Sequence, residues 1–375
     1  MSAPTDIRSL TLAQLGDFVS ALGLPAFRAR QIFAWVHARG VTSTDEMTDL
    51  SKALRAELAE RIDLAPLAVD AVQRSSDGTR KLALRCHDGQ RIESVLIPTA
   101  DRLTQCISSQ VGCALGCRFC ATATMGIRRN LTPGEIVDQV YRARALLDAE
   151  REAGTWPPAA LPTAPHEISN LVFMGMGEPM ANLDNVLAAV EILGEDHGAN
   201  FSSRRITVST VGLVPGIETL GQKNRHVGLA ISLHATSDDV RDDLMPVNKR
   251  WPLDKLMAAL RRYPLPRRRR ITFEYVLLAG INDTPADAKR LPKLLDGIPA
   301  KLNLLPYNPC RADQPDLLRP DDAAVEGFAE ALRRKGINTT VRKSRGLDID
   351  AACGQLVLQN PPRAARAPAQ GAASS

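Results

Sequence analysis

Residues 113–120 read Cys113-Ala-Leu-Gly-Cys117-Arg-Phe-Cys120 and are the most informative stretch of the chain. Three thiolates this close together, with a glycine between the first two, can surround one small inorganic group. The C-x3-C-x2-C spacing lacks the second pair of cysteines or histidines that a structural zinc site needs for four ligands. A four-iron cluster held by three thiolates leaves one iron open, which matches this number of cysteines. The stretch therefore predicts an iron–sulfur cluster, with a zinc site or a chance grouping of core cysteines as alternatives.

The composition describes a globular chain. It has 375 residues, of which 44% are hydrophobic and 24% charged, with 25 glycines and 25 prolines. These values exclude collagen-like and disordered chains. Seven cysteines, an odd number in a long chain, exclude a complete disulfide framework. The net charge of +5 permits a nucleic-acid partner without arguing for one. We find no secretory signal and no apolar stretch long enough to span a membrane, so we expect a cytoplasmic protein with no membrane partner.

The periodicity of the apolar residues divides the chain into regions. Helical spacing predicts an N-terminal helical module at residues 1–65, and alternating spacing predicts a β-hairpin subdomain at 66–100. From 101 to 358 strands alternate with helices, which is typical of a parallel sheet covered by helices, either open or closed into a barrel. The sequence from 359 to 375 predicts a disordered tail. The predicted strands of the third region are Leu171–Met174, Ile206–Ser209, Val227–Ser232, Ile271–Leu277, Leu302–Leu305 and Thr339–Val341.

The cysteine spacing resembles that of the radical S-adenosylmethionine (SAM) superfamily. This resemblance implies an α/β fold, a partial (β/α)6 barrel in which the cluster loop follows the first strand. We place that strand at Cys106-Ile-Ser-Ser-Gln, directly before the loop. The resemblance also implies that SAM binds the open iron and that an electron from the cluster cleaves it to a radical.

Several polar residues follow predicted strands and are candidates for binding SAM. In Gly175-Met-Gly177-Glu178-Pro179 the glycines permit close backbone approach, and the carboxylate can pair with an ammonium group. Alone, this stretch is more consistent with a strand-ending turn; beside the cysteine loop it resembles the GGEP-type element of radical SAM enzymes. The other candidates can each be a turn or a helix cap, but together they fall where a barrel places its site. They are Ser209, Ser232, Leu233, His234 and Asn308.

Four motifs together resemble the RlmN family of dual-specificity ribosomal and transfer RNA adenine-C2 methyltransferases, from about residue 8 to residue 357. The motifs are C-I-S-S-Q-V-G-C-A-L-G-C-R-F-C, G-M-G-E-P, I-S-L-H-A and R-G-L-D-I-D-A-A-C-G-Q-L. The resemblance implies that Cys113, Cys117 and Cys120 bind one [4Fe-4S] cluster. It implies that SAM is bound by Gly177, Glu178, Ser209, Ser232, Leu233, His234 and Asn308.

The same resemblance implies covalent catalysis by two further cysteines. One SAM methylates Cys353, and a second SAM of the same turnover provides the radical that activates this methyl group for addition to C2 of adenine. Cys106 then forms a transient disulfide with Cys353 and releases the product. Either Glu93, the family's proposed proton acceptor, or Cys106 removes the C2 proton. Cys86 and Cys310 are interpreted as structural.

The implied partners are 23S rRNA, tRNA and an electron donor such as flavodoxin or ferredoxin, and we expect a monomer. Aromatic residues make up only 4% of the chain, so RNA binding should depend on phosphate contacts and on a flipped adenine. The N-terminal module, with Arg28, Arg30 and Arg39, is the candidate RNA-gripping element. The alternatives are a Cfr-like C8 methyltransferase, a non-enzymatic metal-dependent RNA-binding protein, and a Rossmann-type methyltransferase that uses one SAM by simple displacement.

Overall fold

The computed structural model describes residues 4–357, and its first part is a helical module that begins and ends in a short pair of parallel strands. Thr11 and Gln14 cap the first helix reciprocally, and the Ser51 hydroxyl caps the third. The helical character predicted for this region is present in three α-helices. The elements are β1 (Thr5–Asp6), α1 (Leu12–Ala21), α2 (Phe27–Phe33), α3 (Lys52–Ala59) and β2 (Ile62–Asp63).

An antiparallel extension follows the module. It contains three strands where the sequence predicted a hairpin of two, because Ala68–Arg74 also pairs along its length with the next strand. The strands are β3 (Ala68–Arg74), β4 (Arg80–Arg85) and β5 (Arg91–Pro98). β5 pairs with the first strand of the parallel sheet, so the extension continues that sheet. The domain boundaries at 65, 100 and 358 stay predictions.

The remaining chain alternates between strands and helices. In chain order these elements are β6 (Leu103–Cys106), β7 (Gln110–Cys113), β8 (Gly126–Asn130), α4 (Pro133–Glu152), β9 (Asn170–Phe173), α5 (Leu183–Gly194), β10 (Ile206–Thr210), α6 (Val214–Lys223), β11 (Gly228–Ser232), α7 (Asp238–Leu244), α8 (Leu253–Arg262), β12 (Ile271–Leu277), α9 (Pro285–Leu294), β13 (Ala300–Pro306), α10 (Asp322–Arg334) and β14 (Thr339–Val341). The predicted tail at 359–375 lies outside the described residues. No helix of residues 4–357 is both long and apolar enough to cross a membrane.

Seven parallel strands form an open barrel. Their order is β6-β9-β10-β11-β12-β13-β14, and helices separate them along the chain. The outer edge of β6 pairs antiparallel with β5 instead of with β14, so the parallel strands do not close into a ring. The predicted partial (β/α)6 barrel is therefore confirmed, with β14 as a seventh strand. Parallel pairing brings the carboxyl ends of all these strands to one edge.

The first barrel strand differs from the prediction. It spans Leu103–Cys106, whereas the sequence placed it at Cys106–Gln110. Beyond Cys106 the chain leaves the sheet because its backbone donors are taken by the turn after β9: Ser109 N donates to Met176 O over 2.9 Å. Gln110–Cys113 then forms a separate two-stranded sheet with β8. The cysteine loop thus follows a short hairpin strand.

A buried ion pair joins the N-terminal module to the barrel. The Arg8 side chain is 3% exposed, and its Nε lies 3.5 Å from Asp138 Oδ1 on α4. Its remaining nitrogens donate to Ala65 O over 2.8 Å and to Val41 O over 3.1 Å. Asp138 also accepts a hydrogen bond from Leu67 N over 2.6 Å. One guanidinium thus ties together the start of the chain, two loops and a barrel helix.

Replacing Arg8 with alanine should destabilise the protein by about 3 kcal/mol, because the buried Asp138 carboxylate then keeps, among residues 4–357, only Arg142 as a counter-ion, 3.4 Å away. The matched control is Arg61→Ala, which removes an exposed ion pair with Glu57 and should cost about 0.5 kcal/mol or less. Urea unfolding followed by circular dichroism measures both. Equal losses in the two variants would contradict a docking role for Arg8.

Candidate active site

A pocket at the carboxyl ends of the barrel strands brings most of the predicted site residues together. Its volume is about 990 Å³ including the open mouth, within the range typical of small-molecule sites. Ten of the thirteen predicted residues line it: Cys113, Cys117, Cys120, Gly177, Glu178, Ser209, Ser232, His234, Asn308 and Cys353. The other three, Leu233, Cys106 and Glu93, lie around it.

The cysteine loop forms one wall of this pocket. Gly116 allows the loop to turn with φ +68, and Arg118 N donates to Leu244 O over 3.0 Å, which fixes the loop against the end of α7. Burial raises the pKa of Cys113 to about 11 and that of Cys117 further, so these thiols need a bound cation to ionise. Among residues 4–357 no three metal-binding side chains lie close enough to share a single ion. The three thiols line one pocket, and three thiolates are the ligand number of a four-iron cluster that leaves one iron open.

The turn after β9 presents Glu178 to the same pocket. Gly177 has φ +100, and a Cβ there would lie 2.6 Å from Gln110 Cβ, so only glycine fits. The Glu178 carboxylate accepts hydrogen bonds from Met180 N and Val211 N, both over 3.0 Å. Burial raises the pKa of Glu178 to about 7. A ligand ammonium would supply the positive charge that this buried carboxylate needs.

His234 contributes a neutral imidazole. Its Nδ1 accepts a hydrogen bond from Val276 N over 2.9 Å, and burial lowers its pKa to about 3. The proton of the neutral ring therefore resides on Nε2. The ring packs edge-on against Phe119 of the cysteine loop, with centroids 4.6 Å apart. His234 thus offers a hydrogen-bond donor without a charge.

Arg241 organises the loops behind the pocket and was missed by the sequence analysis. Its fully buried guanidinium donates to Leu233 O over 3.0 Å, to Val211 O over 2.6 Å and to Ser232 O over 3.2 Å. These contacts place Leu233 in the wall behind the pocket, where its backbone holds the loop. Asn248 accepts a further bond from Arg241 over 2.7 Å. On a seven-residue helix that contains four aspartates, nothing in the sequence distinguishes this arginine from a solvated one.

A smaller pocket adjoins the first and contains the two predicted cysteines that are not proposed cluster ligands. Cys106 and Cys353 both line it, together with Asn308 and Arg342, and its volume is about 590 Å³. Cys106 is buried at the end of β6, whereas the Cys353 side chain is exposed to the open pocket. The two pockets share Cys353 and Asn308, so Cys353 faces both the cluster loop and Cys106.

Arg342 is the residue of the smaller pocket whose charge acts on both thiols. Burial raises the pKa of Cys106 to about 12, and enclosure by the pocket walls raises that of Cys353. The Arg342 guanidinium opposes both shifts because a nearby cation favours the thiolate. Its Nη1 lies 3.9 Å from Glu274 Oε1, which also lines the larger pocket. Nothing in the local sequence distinguishes Arg342 or Glu274 from a solvated charged residue.

Glu93 lines neither pocket. It is 5% exposed on β5, and its Oε1 lies 3.4 Å from Nζ of the buried Lys81. Burial raises the pKa of Glu93 to about 7. Val95 pairs with Cys106 across the strands, and Glu93 lies two residues before Val95 on the same face of β5. The structure thus brings Glu93 near Cys106, and its role as proton acceptor stays a prediction.

Two further cysteines have packing roles. Cys86 is buried, and Cys310 donates a weak hydrogen bond from Sγ to Phe119 O over 3.3 Å. Cys310 therefore supports the backbone of the cysteine loop.

Comparison with known proteins identifies the family. Residues 5–64 match the model of the ribosomal RNA large subunit methyltransferase N-terminal domain. The chain is 49% identical over 360 residues to the dual-specificity RNA methyltransferase RlmN of Anaeromyxobacter dehalogenans (strain 2CP-C), covering 95% of this chain and 93% of that protein. It is 50% identical over 370 residues to RlmN of Anaeromyxobacter sp. (strain Fw109-5), covering 97% and 93%. The chain belongs to the RlmN family.

A solved structure extends this likeness to the fold. The crystal structure of a radical SAM methyltransferase from Sphaerobacter thermophilus has a TM-score of 0.84 and 47% identity, covering 94% of this chain and 99% of that one. The RlmN-family chain is therefore a radical SAM enzyme, for which SAM and an iron–sulfur cluster are implied. The alternatives of a non-enzymatic RNA-binding protein and of a Rossmann-type methyltransferase are wrong.

In this RlmN-family enzyme Gly354 sets Cys353 against the cysteine loop. Gly354 has φ +85, a Cβ there would lie 2.9 Å from Phe119 O, and Gly354 O accepts a hydrogen bond from Ala121 N over 2.7 Å. Gly354→Ala should push the segment away and make Cys353 react severalfold faster with iodoacetamide, as measured by mass spectrometry of its peptide. Gly336→Ala is the control, because its φ is +79 but open space surrounds it. Equal reactivity in both variants would exclude the close approach as the cause.

Arg342→Met should slow the alkylation of Cys353 at pH 8. Without the guanidinium the pKa of Cys353 rises further, and each unit lowers the thiolate fraction, and hence the rate, about tenfold. The pH profile of alkylation in the intact protein measures this shift. Arg334→Met removes the same charge from an exposed side chain of α10 that lines neither pocket, and it should leave the profile unchanged. A profile in Arg342→Met that overlays the wild type would contradict the electrostatic role.

Proposed function

We propose that this enzyme methylates C2 of a specific adenosine in 23S rRNA and in the anticodon loop of tRNA, through a methyl group carried by Cys353. One observation carries the proposal: Cys353 lines both the pocket of the cluster cysteines and the adjoining pocket of Cys106. A cysteine in that position can accept a methyl group on one side and be attacked by a second thiol on the other. The names of the relatives, dual-specificity RNA methyltransferases, support an RNA substrate.

The larger pocket is proposed to hold one [4Fe-4S] cluster on Cys113, Cys117 and Cys120, and SAM beside it. When bound, the cluster supplies the electron that cleaves SAM. Glu178 would pair with the amino group of SAM, because its buried carboxylate has no cation in an ion pair among residues 4–357. His234 and Asn308 would donate to its polar atoms, and the strand-end residues Ser209 and Ser232 complete the pocket. Two SAM molecules would be consumed per turnover.

The thiol chemistry balances with the two cysteines in place. Cys353 as thiolate takes a methyl group from the SAM sulfonium, forming an S–C bond as the sulfonium S–C bond breaks. The SAM-derived radical would remove one hydrogen atom from this methyl group, and the carbon would then bond to C2 of adenine, giving up one electron that the cluster would take back. The Cys106 thiolate then attacks the Cys353 sulfur, so that S–S forms and S–C breaks, and the electron pair of the S–C bond stays on the carbon, which takes up a proton to become the product methyl group. A thiol reductant must then return two electrons to the disulfide. Glu93 or Cys106 accepts the C2 proton, and the pKa of Glu93, about 7 because of burial, suits a base near neutral pH.

RNA is proposed to contact the N-terminal module. Phe27 is 58% exposed beside Arg28, whose guanidinium lies 4.8 Å from the ring centroid. Arg39 lies over the Trp35 ring at 3.7 Å. Guanidinium and aromatic groups side by side bind phosphates and unstacked bases. We further propose that the enzyme is a cytoplasmic monomer that receives electrons from a flavodoxin or ferredoxin.

Anaerobic assays of cysteine variants on 23S rRNA and tRNA test the function. The wild type should give 2-methyladenosine, identified by mass spectrometry against nucleoside standards. Cys353→Ala should give none, and Cys106→Ala should leave RNA covalently attached to the protein, because nothing cleaves the S–C bond. Cys86→Ala, a buried cysteine outside both pockets, is the control and should stay active. Methylation only at C8, or methylation without a reductant, would overturn the proposal.

A further inference from the structure

The segment that carries Cys353 is fastened to the turn between β3 and β4, which is about 270 residues away in sequence. The Asp348 carboxylate accepts hydrogen bonds from Ser75 Oγ over 2.5 Å and from Ser76 N over 2.9 Å. The turn also contributes a carboxylate, since Asp77 Oδ2 accepts a hydrogen bond from Gly346 N over 2.9 Å. Two aspartates therefore bridge the segment and the turn in both directions.

A buried lysine adds a third attachment. Lys81 on β4 donates from Nζ to Asp350 O over 3.1 Å while its ammonium faces Glu93 at 3.4 Å. The contact is close: a Cβ on Gly346 would lie 2.8 Å from Ala351 Cβ and 3.0 Å from Thr79 Cγ2. The extension thus holds the segment by side-chain and backbone contacts on the near side of Cys353.

The far side of Cys353 is attached to the cysteine loop. Gly354 O accepts from Ala121 N over 2.7 Å, and Leu356 O accepts from Thr122 Oγ1 over 2.6 Å. The chain is therefore held on both sides of Cys353: before it by the antiparallel extension, and after it by the residues that directly follow Cys120. The barrel strands contribute to neither attachment.

We propose that Asp77, Asp348 and Lys81, here called the turn latch, are positioning residues that hold Cys353 between the SAM pocket and Cys106. The inference rests on the proposed function, in which Cys353 must meet a SAM methyl group and then the Cys106 thiol. A thiol on a free loop would meet either partner at low effective concentration, whereas a fixed one reacts with a large intramolecular advantage. The latch touches neither reacting group, so it acts through the position of Cys353.

Loss of the latch should change the position of Cys353 without changing the affinity for SAM, whereas a general loss of structure would change both. Without the latch, SAM should bind as before, because none of the three latch residues lines the larger pocket. The transfer of a methyl group to Cys353, and the proximity of Cys353 to Cys106, should both fall. These can be measured without RNA in the full-length protein with its cluster reconstituted.

The test compares Asp348→Ala and Asp77→Ala with Asp70→Ala. Asp70 lies on β3, where it pairs with Arg85 and Arg91 at the other end of the same strands, and serves as the matched control. Mass spectrometry follows the methyl group on the Cys353 peptide, calorimetry measures SAM affinity, and dibromobimane crosslinks Cys106 to Cys353 by replacing its two bromides with thioethers. We expect both latch variants to lose about tenfold or more in methyl transfer and in crosslinking, with an unchanged Kd for SAM.

Ser75→Ala is a milder variant that changes no charge. It removes the hydrogen bond that Ser75 Oγ donates to Asp348 and the one that it accepts from Asp77 N, and it should shift both quantities in the same direction. The positioning role would be contradicted if the latch variants crosslinked and accepted a methyl group as well as the wild type. It would also be contradicted if their losses were no greater than those of Asp70→Ala. An absence of methyl on Cys353 in the wild type overturns the proposed function instead. In that case the crosslinking yield alone decides whether the latch positions Cys353.

Discussion

The site depends on a set of hydrogen bonds between the chain that follows β6 and the turn that follows β9. Gly175 N donates to Ile107 O over 3.1 Å, Met176 N donates to Ser108 Oγ over 2.9 Å, and Glu178 N donates to Gln110 Oε1 over 2.8 Å. They bind the segment leading into the cysteine loop to the turn that presents Glu178. Without these bonds the thiols and the carboxylate would lie on two independent loops.

Burial governs the electrostatics at this end of the barrel. It raises the pKa values of Cys113, Cys117 and Glu178 and lowers that of His234, so burial favours the neutral form of each of these groups. Arg241 keeps its charge at a fully buried position because three backbone carbonyls and Asn248 accept its hydrogen bonds. A cationic metal group and a ligand ammonium would reverse the balance in favour of thiolates and carboxylate.

The antiparallel extension contacts the segment that carries Cys353. It prolongs the parallel sheet through β5, which places its β3–β4 turn beside the segment that carries Cys353. The same strands carry Lys81 and Glu93, which form a buried ion pair within the extension, and Lys81 also donates to Asp350 O in the segment that carries Cys353. An element that looked like a linker in the sequence is therefore a support for the reacting end of the barrel.

Much of the fold and of the site could be predicted from the chain alone, because their signals are local. The spacing of Cys113, Cys117 and Cys120, the alternation of strands with helices, and the polar residues after the strands all lie within short windows of sequence. Parallel pairing then brings strand ends to one edge, so Glu178, His234 and Asn308 could be assigned to one pocket.

The roles of four charged residues could not be predicted, because a charged residue acquires its role only from partners distant in sequence. These residues are Arg241, Glu274, Arg342 and Lys81. The end of β6 at Cys106 was missed for the same reason, since Met176, far along the chain, takes the hydrogen bond that ends the strand. Local pattern determines which elements form, and long-range burial and hydrogen bonding decide which charges face the reacting groups.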